Sequence, residues 1–98
     1  MSKIVNYNKK DIILDYSNKS VSEEEIKKSI NIDSRGSGEG KNYTQVEQEA
    51  QLYLIRDAMI KKPSCKLKKI VRITQNVDYI DPKEGIVRIV LEGTAIFK

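Results

Sequence analysis

The chain is expected to fold as a small α+β domain, with elements in ββααββ order and a long helix packed on an antiparallel sheet that ends in a C-terminal β-hairpin. Three observations predict this. Two long stretches of apolar alternation fill the last third, one long helical pattern precedes them and stops at Pro63, and two short apolar runs open the chain.

At the N-terminus Lys3 to Tyr7 alternates weakly, and Asp11 to Tyr16 contains Ile12-Ile13-Leu14. Asn8-Lys9-Lys10 between them has the composition of a turn, so a short opening hairpin is expected. Ser22 then precedes Glu23-Glu24-Glu25, and Glu25 stands where a capping box needs it. Val21 and Ile26 sit at the positions of a hydrophobic staple. Together they predict a short helix from about Glu23 to Ile30, with acidic residues at the positive end of its dipole.

From Asp33 to Asn42 the chain reads Asp-Ser-Arg-Gly-Ser-Gly-Glu-Gly-Lys-Asn, without a large apolar residue. Residues 33–42 are therefore expected as a flexible Gly/Ser-rich loop between two helices, within a single domain spanning residues 1–98. Gly36, Gly38, Gly40 and Lys41 also invite comparison with a phosphate cradle. The spacing argues against it, because a P-loop has four residues between its first glycine and the Gly-Lys pair, and a Ser or Thr after the lysine. Here three residues separate Gly36 from Gly40, and Asn42 follows Lys41.

Thr44, with Glu47 three residues on, predicts the start of a helix running from Gln45 to about Lys62. Its wheel carries two apolar stripes. Val46, Ala50, Tyr53, Leu54 and Ile60 are assigned to the sheet, and Leu52, Ile55 and Met59 to a second partner. The last third reads as two strands joined by the turn Asp78 to Gly85. One face of the final strand, Val87, Ile89, Leu91, Gly93, Ala95 and Phe97, is apolar; the other mixes Ile86, Val90 and Ile96 with Arg88, Glu92 and Thr94.

Composition removes several kinds of chemistry. The chain has no histidine and one cysteine, Cys65. A Cys/His zinc site, a Ser-His-Asp triad and a Cys-His pair all need residues that are missing, so no catalytic residue, metal ligand or cofactor is assigned and an enzyme is not expected. With no stretch apolar enough to span a bilayer and no apolar signal segment at the start, a cytoplasmic protein without membrane attachment is expected.

The net charge of +4 is uneven. Residues 1–49 carry eight Lys/Arg against nine Asp/Glu, and residues 50–98 carry ten against five. Lys61, Lys62, Lys66, Lys68, Lys69 and Arg72 form the densest basic cluster. The first functional expectation is an interaction or adaptor protein that self-associates as a homo-oligomer and binds another protein through Leu52, Ile55, Met59, Ile86, Val90 and Ile96, the apolar residues left over by the core. The second is a nucleic-acid or phosphorylated-ligand binder using the basic cluster.

The ending Gly93-Thr94-Ala95-Ile96, on a strand that follows an Ala- and Glu-bearing helix, resembles the close of small bacterial YbjQ-type domains. That resemblance implies a helix-on-hairpin fold and a heavy-metal-binding role. The absent histidine and the lone Cys65 depart from what such a role requires.

Overall fold

The computed structural model describes residues 2–17 and 21–98. Its elements are β1 (Ser2–Tyr7), β2 (Lys10–Asp15), α1 (Glu23–Lys27), β3 (Ile30–Gly40), α2 (Tyr43–Lys61), β4 (Leu67–Asp81) and β5 (Ile86–Phe97). The α+β class and the long helix on a sheet agree with expectation; the order is ββαβαββ, because the expected loop at 33–42 falls largely within an eleven-residue strand. Five strands lie in the order β1-β2-β4-β5-β3.

The sheet is mixed rather than purely antiparallel. β1–β2, β4–β5 and β3–β5 pair antiparallel, whereas β2 and β4 run parallel through the short register Ile13↔Lys69 and Leu14↔Ile70. The connection from β2 to β4 carries α1, β3 and α2, enough chain to return in the same direction.

The opening hairpin turns through Asn8 and Lys9, whose φ values of 50° and 66° are both left-handed. Paired left-handed residues are the geometry of the two-residue turn that matches strand twist. The second hairpin turns at Gly85, φ 70°, while the Asp81 carboxylate accepts from the Lys83 and Glu84 N–H groups. Ser22 caps α1 as expected, its Oγ accepting from Glu25 N–H at 3.2 Å. The cap of α2 is Asn42 rather than Thr44, with Oδ1 accepting from Gln45 N–H at 3.1 Å, so the helix starts at Tyr43.

Val46, Ala50, Gln51, Leu54, Ile55 and Ala58 are the buried residues of α2. They form one stripe running between the two expected ones. Against it lie Ile12 and Leu14 of β2, Ile70 and Ile73 of β4, and the apolar face of β5. Tyr53 and Ile60, expected against the sheet, are 46% and 63% exposed.

The glycines explain how the helix sits on β3. A Cβ at Gly36 would lie 2.1 Å from Leu54 N and 2.4 Å from Ala50 O, and one at Gly38 would lie 2.5 Å from Val46 O. These are main-chain atoms, so helix and strand touch backbone to backbone. Ser34, the next small residue on that face, donates its hydroxyl to Leu54 O at 2.6 Å.

Among the described residues, the other face of the sheet is covered at one end. Val21, Val71 and Ile96 form a second buried cluster, with Ile26 of α1 packed against it. β4 bulges between Val71 and Thr74, where Arg72 takes φ 54° and donates from Nη2 to Val21 O at 3.2 Å. Beyond α1 this face carries ion pairs, Arg35 with Glu92 at 3.8 Å and Arg88 with Glu39 at 3.3 Å.

Candidate functional site at the open edge of the sheet

Because β3 pairs with β5 on one side and ends the strand order, its other side is a free edge. Alternation decides which main-chain groups face outward. Arg35 N–H donates to Asp57 Oδ2 at 2.9 Å, and Asp33 C=O accepts from Lys61 Nζ at 3.0 Å, so both residues direct their main chain away from β5. Ser37 and Glu39, two and four residues beyond Arg35, then do the same. No hydrogen-bond partner for their outward main-chain groups occurs among the described residues.

α2 forms the wall above this edge. Arg35, Gly36 and Ser37 from β3 and Tyr53, Arg56, Asp57, Ile60 and Lys61 from α2 line a shallow cleft of about 610 Å³. Asp57 is its most engaged side chain, accepting from Arg35 N–H and Ser34 Oγ and pairing with Lys61 Nζ at 3.0 Å. Partial burial pushes its carboxyl up, but the Arg35 N–H, Lys61 and Ser34 together outweigh this and hold it below the ordinary carboxylate range. Asp57 therefore shields half the edge as an anion, and Tyr53 and Ile60 offer exposed apolar surface beside it.

On the opposite flank of α2, Gln51 is buried and donates from Nε2 to Tyr16 Oη at 3.1 Å. Desolvation raises the Tyr16 phenol, the Gln51 hydrogen bond lowers it by less, and the Glu47 carboxylate raises it further. This is a structural contact at the seam between β2 and α2.

The residues expected to bind a partner do not share one surface. Ile55 is fully buried in the main core and Met59 packs partly against it, because the true buried stripe of α2 includes Ile55. Leu52 is 41% exposed and lies beside Lys3, Ile4 and Val5 of β1. Ile96 is buried in the second cluster, Val90 is buried, and Ile86 is half-buried. Alternation along β5 puts these three residues on the sheet face away from α2, opposite Val87, Ile89 and Leu91.

The basic cluster is divided too. Lys61 is committed to Asp57 and the Asp33 carbonyl at the β3 edge. Arg72 reaches Val21 behind the sheet, with its Nε buried and without a partner. Lys69 sits between Ile13 and Ile96 in the strand register, Lys62 is half-buried, and Lys66 and Lys68 are exposed near the start of β4.

Among the described residues no group of three or more Cys, Asp or Glu is placed to hold a metal ion. No helix among them is long and apolar enough to cross a membrane. No protein-family model, curated protein or solved structure matches the chain.

The composition of β3 is that of a linker, which disguises the edge in the sequence. A usable signal was present nonetheless: Ser34, Gly36, Gly38 and Gly40 alternate with Asp33, Arg35, Ser37, Glu39 and Lys41. Small on one face and polar on the other at period two is a strand lying under a closely packed neighbour.

Proposed function

We propose that the protein is a small non-enzymatic interaction module that self-associates and binds another protein, with the β3 edge and its cleft as the contact surface. The observation that carries this reading is the unpaired outward main chain of Ser37 and Glu39 beside exposed Tyr53 and Ile60. An open strand edge recruits another strand through main-chain hydrogen bonds, and a neighbouring groove supplies side-chain selectivity. Native edges are commonly blunted by charge or cover; here Asp57 and Lys61 cover the Asp33–Arg35 half and leave the rest open.

Sedimentation equilibrium of the purified chain tests self-association. A mass that stays at 11.2 kDa up to millimolar concentration overturns that half of the reading. For the partner half, the chain is used as bait in an extract of its own cells beside a Tyr53→Ala/Ile60→Ala control. A protein retained equally by both does not use the cleft.

Binding of nucleic acid or a phosphorylated ligand through Lys61, Lys62, Lys66, Lys68, Lys69 and Arg72 draws less support. Lys61 and Arg72 already have internal partners, which commits two of the six cations elsewhere. Salt-dependent retardation of DNA or RNA that is lost on Lys66→Glu/Lys68→Glu substitution would favour this alternative.

A further inference from the structure

We infer that the chain binds a small zwitterion of the α-amino-acid class in the cavity at the end of β2, with Glu47 and Gln51 holding its ammonium and Lys3 and Tyr16 its carboxylate. This cavity shares no lining residue with the β3 cleft, so ligand binding in it is independent of self-association.

The cavity comes from a mismatch in strand length. β2 ends at Asp15 and pairs with β4 through Ile13 and Leu14, whereas β4 runs on to Asp81. Beside Gln75 no strand continues the line of β2 among the described residues, and a hollow is left between β4 and α2. Ser2, Lys3, Tyr16, Glu47, Gln51 and Gln75 line it, and its volume of about 450 Å³ lies within the range of small-molecule sites. Each of the six side chains can donate or accept a hydrogen bond.

Two of these groups are already set. Gln51 is 2% exposed, and its Nε2 donates to Tyr16 Oη at 3.1 Å. Its Oε1 has no donor among the described residues and, unlike Arg72 Nε, is not sealed by protein, so a firmly held acceptor is left to the cavity. Tyr16 Oη accepts the Gln51 bond, which leaves its own O–H free to be donated. Desolvation and the Glu47 carboxylate outweigh the Gln51 hydrogen bond and keep the phenol protonated, hence a donor at neutral pH.

The charges suit a zwitterion rather than a simple ion. Lys3 and Glu47 line the same cavity, yet neither joins an ion pair among the described residues, with the other or with a third group. Arg35, Lys41, Lys61 and Arg88, by contrast, all have carboxylate partners. A lone cation in the hollow would meet Lys3, and a lone anion would meet Glu47. An α-amino acid answers both. Its ammonium takes the Glu47 carboxylate and Gln51 Oε1 as acceptors, and its carboxylate takes Lys3 Nζ and the Tyr16 O–H as donors. Glu47 and Gln51 stand four residues apart on α2, so they present their oxygens on one flank of the helix. Gln75 is fixed at the floor by its own bond to Tyr43, Nε2 to Oη at 2.9 Å.

Isothermal titration calorimetry of the full chain against each of the protein-forming α-amino acids tests the site. At least one should bind, with a Kd on the order of 0.1 mM. For the tightest binder, the matching decarboxylated amine and the matching deaminated acid should each bind about tenfold more weakly or worse. Glu47→Gln and Lys3→Met should each cost about tenfold or more in affinity while Tm and the circular dichroism are unchanged, because neither side chain is buried. In nitrogen-edited NMR spectra the Gln51 side-chain amide should shift as the ligand is added.

A chain that binds none of these amino acids at millimolar concentration overturns the site. Binding that is undiminished by both substitutions, or that leaves the Gln51 amide unmoved, puts the ligand elsewhere and overturns it as well. An amine or an acid that binds as tightly as the amino acid overturns the zwitterion. Should Glu47→Gln unfold the chain, Lys3→Met and the two analogues decide.

Discussion

Substituting Gly36→Ala tests the claim that α2 rests on the bare backbone of β3. The added methyl would lie 2.1 Å from Leu54 N, where real contacts of a Cβ are no shorter than 3.0 Å, so helix and strand must separate by about 1 Å. A gap of that size forfeits a quarter to a half of each van der Waals contact it opens. Val46, Leu54 and Ile55 together contribute on the order of 6 kcal/mol by burial, of which roughly 2 would be lost. The Ser34–Leu54 and Arg35–Asp57 hydrogen bonds span the same gap, and each is worth about 1 kcal/mol. The expected destabilisation is therefore ~4 kcal/mol, or a fall in Tm of roughly 15–30 °C for a domain of this size.

Urea and thermal unfolding followed by circular dichroism measure it, with Gly40→Ala as the reference. There the methyl meets only the Val46 Cγ2 at 3.3 Å, a side-chain atom that can yield, and the cost should stay below about 1 kcal/mol. Equal and small losses for the two variants would refute the backbone-to-backbone contact.

Three further predictions concern single residues. Lys9→Gly should stabilise the chain by about 1 kcal/mol, because φ 66° at Lys9 strains an L-residue and the resulting Asn-Gly turn suits this hairpin; a lower urea midpoint would contradict the turn assignment. The Tyr16 phenol ionises later in the folded chain than in the unfolded one, so its contribution is complete below pH ~10 and fades as pH rises through the folded value. Over that alkaline window the stability of Tyr16→Phe should fall less steeply than that of wild type, and parallel curves would remove the effect. Asp57 has the opposite sign: its depressed folded value contributes stability above pH ~4 that disappears on acidification. The advantage of wild type over Asp57→Asn should accordingly narrow as pH falls below that point, and a constant difference down to acid unfolding would count against the anionic cap on the β3 edge.

Local elements were legible wherever a few neighbouring residues decide them. Ser22 announces α1 through its own hydrogen bond to Glu25, and Asn8-Lys9 announces the first turn through backbone preference. The faces of β5 follow from period two alone. The candidate site was far less legible. Ile55 and Ile96 look like surplus apolar surface in a sequence window, yet each is consumed by packing that the window does not contain, Ile55 by the sheet and Ile96 by Val21 and Val71.

Short-range elements follow from neighbouring residues: two hairpins, a capped short helix, a long helix ending before Pro63, and an apolar face on the final strand. Packing between remote segments makes Asp33 to Gly40 a strand, sets β2 parallel to β4 and selects the stripe of α2 that is buried. Each of these outcomes depends on contacts that no local window contains. Three glycines have little strand preference of their own, so β3 is made by hydrogen bonds to β5, where Gly36 pairs with Leu91, and by the helix backbone that only glycine admits. Those partners lie far away along the chain. The open edge, and with it the proposed contact surface, exists only once they have met.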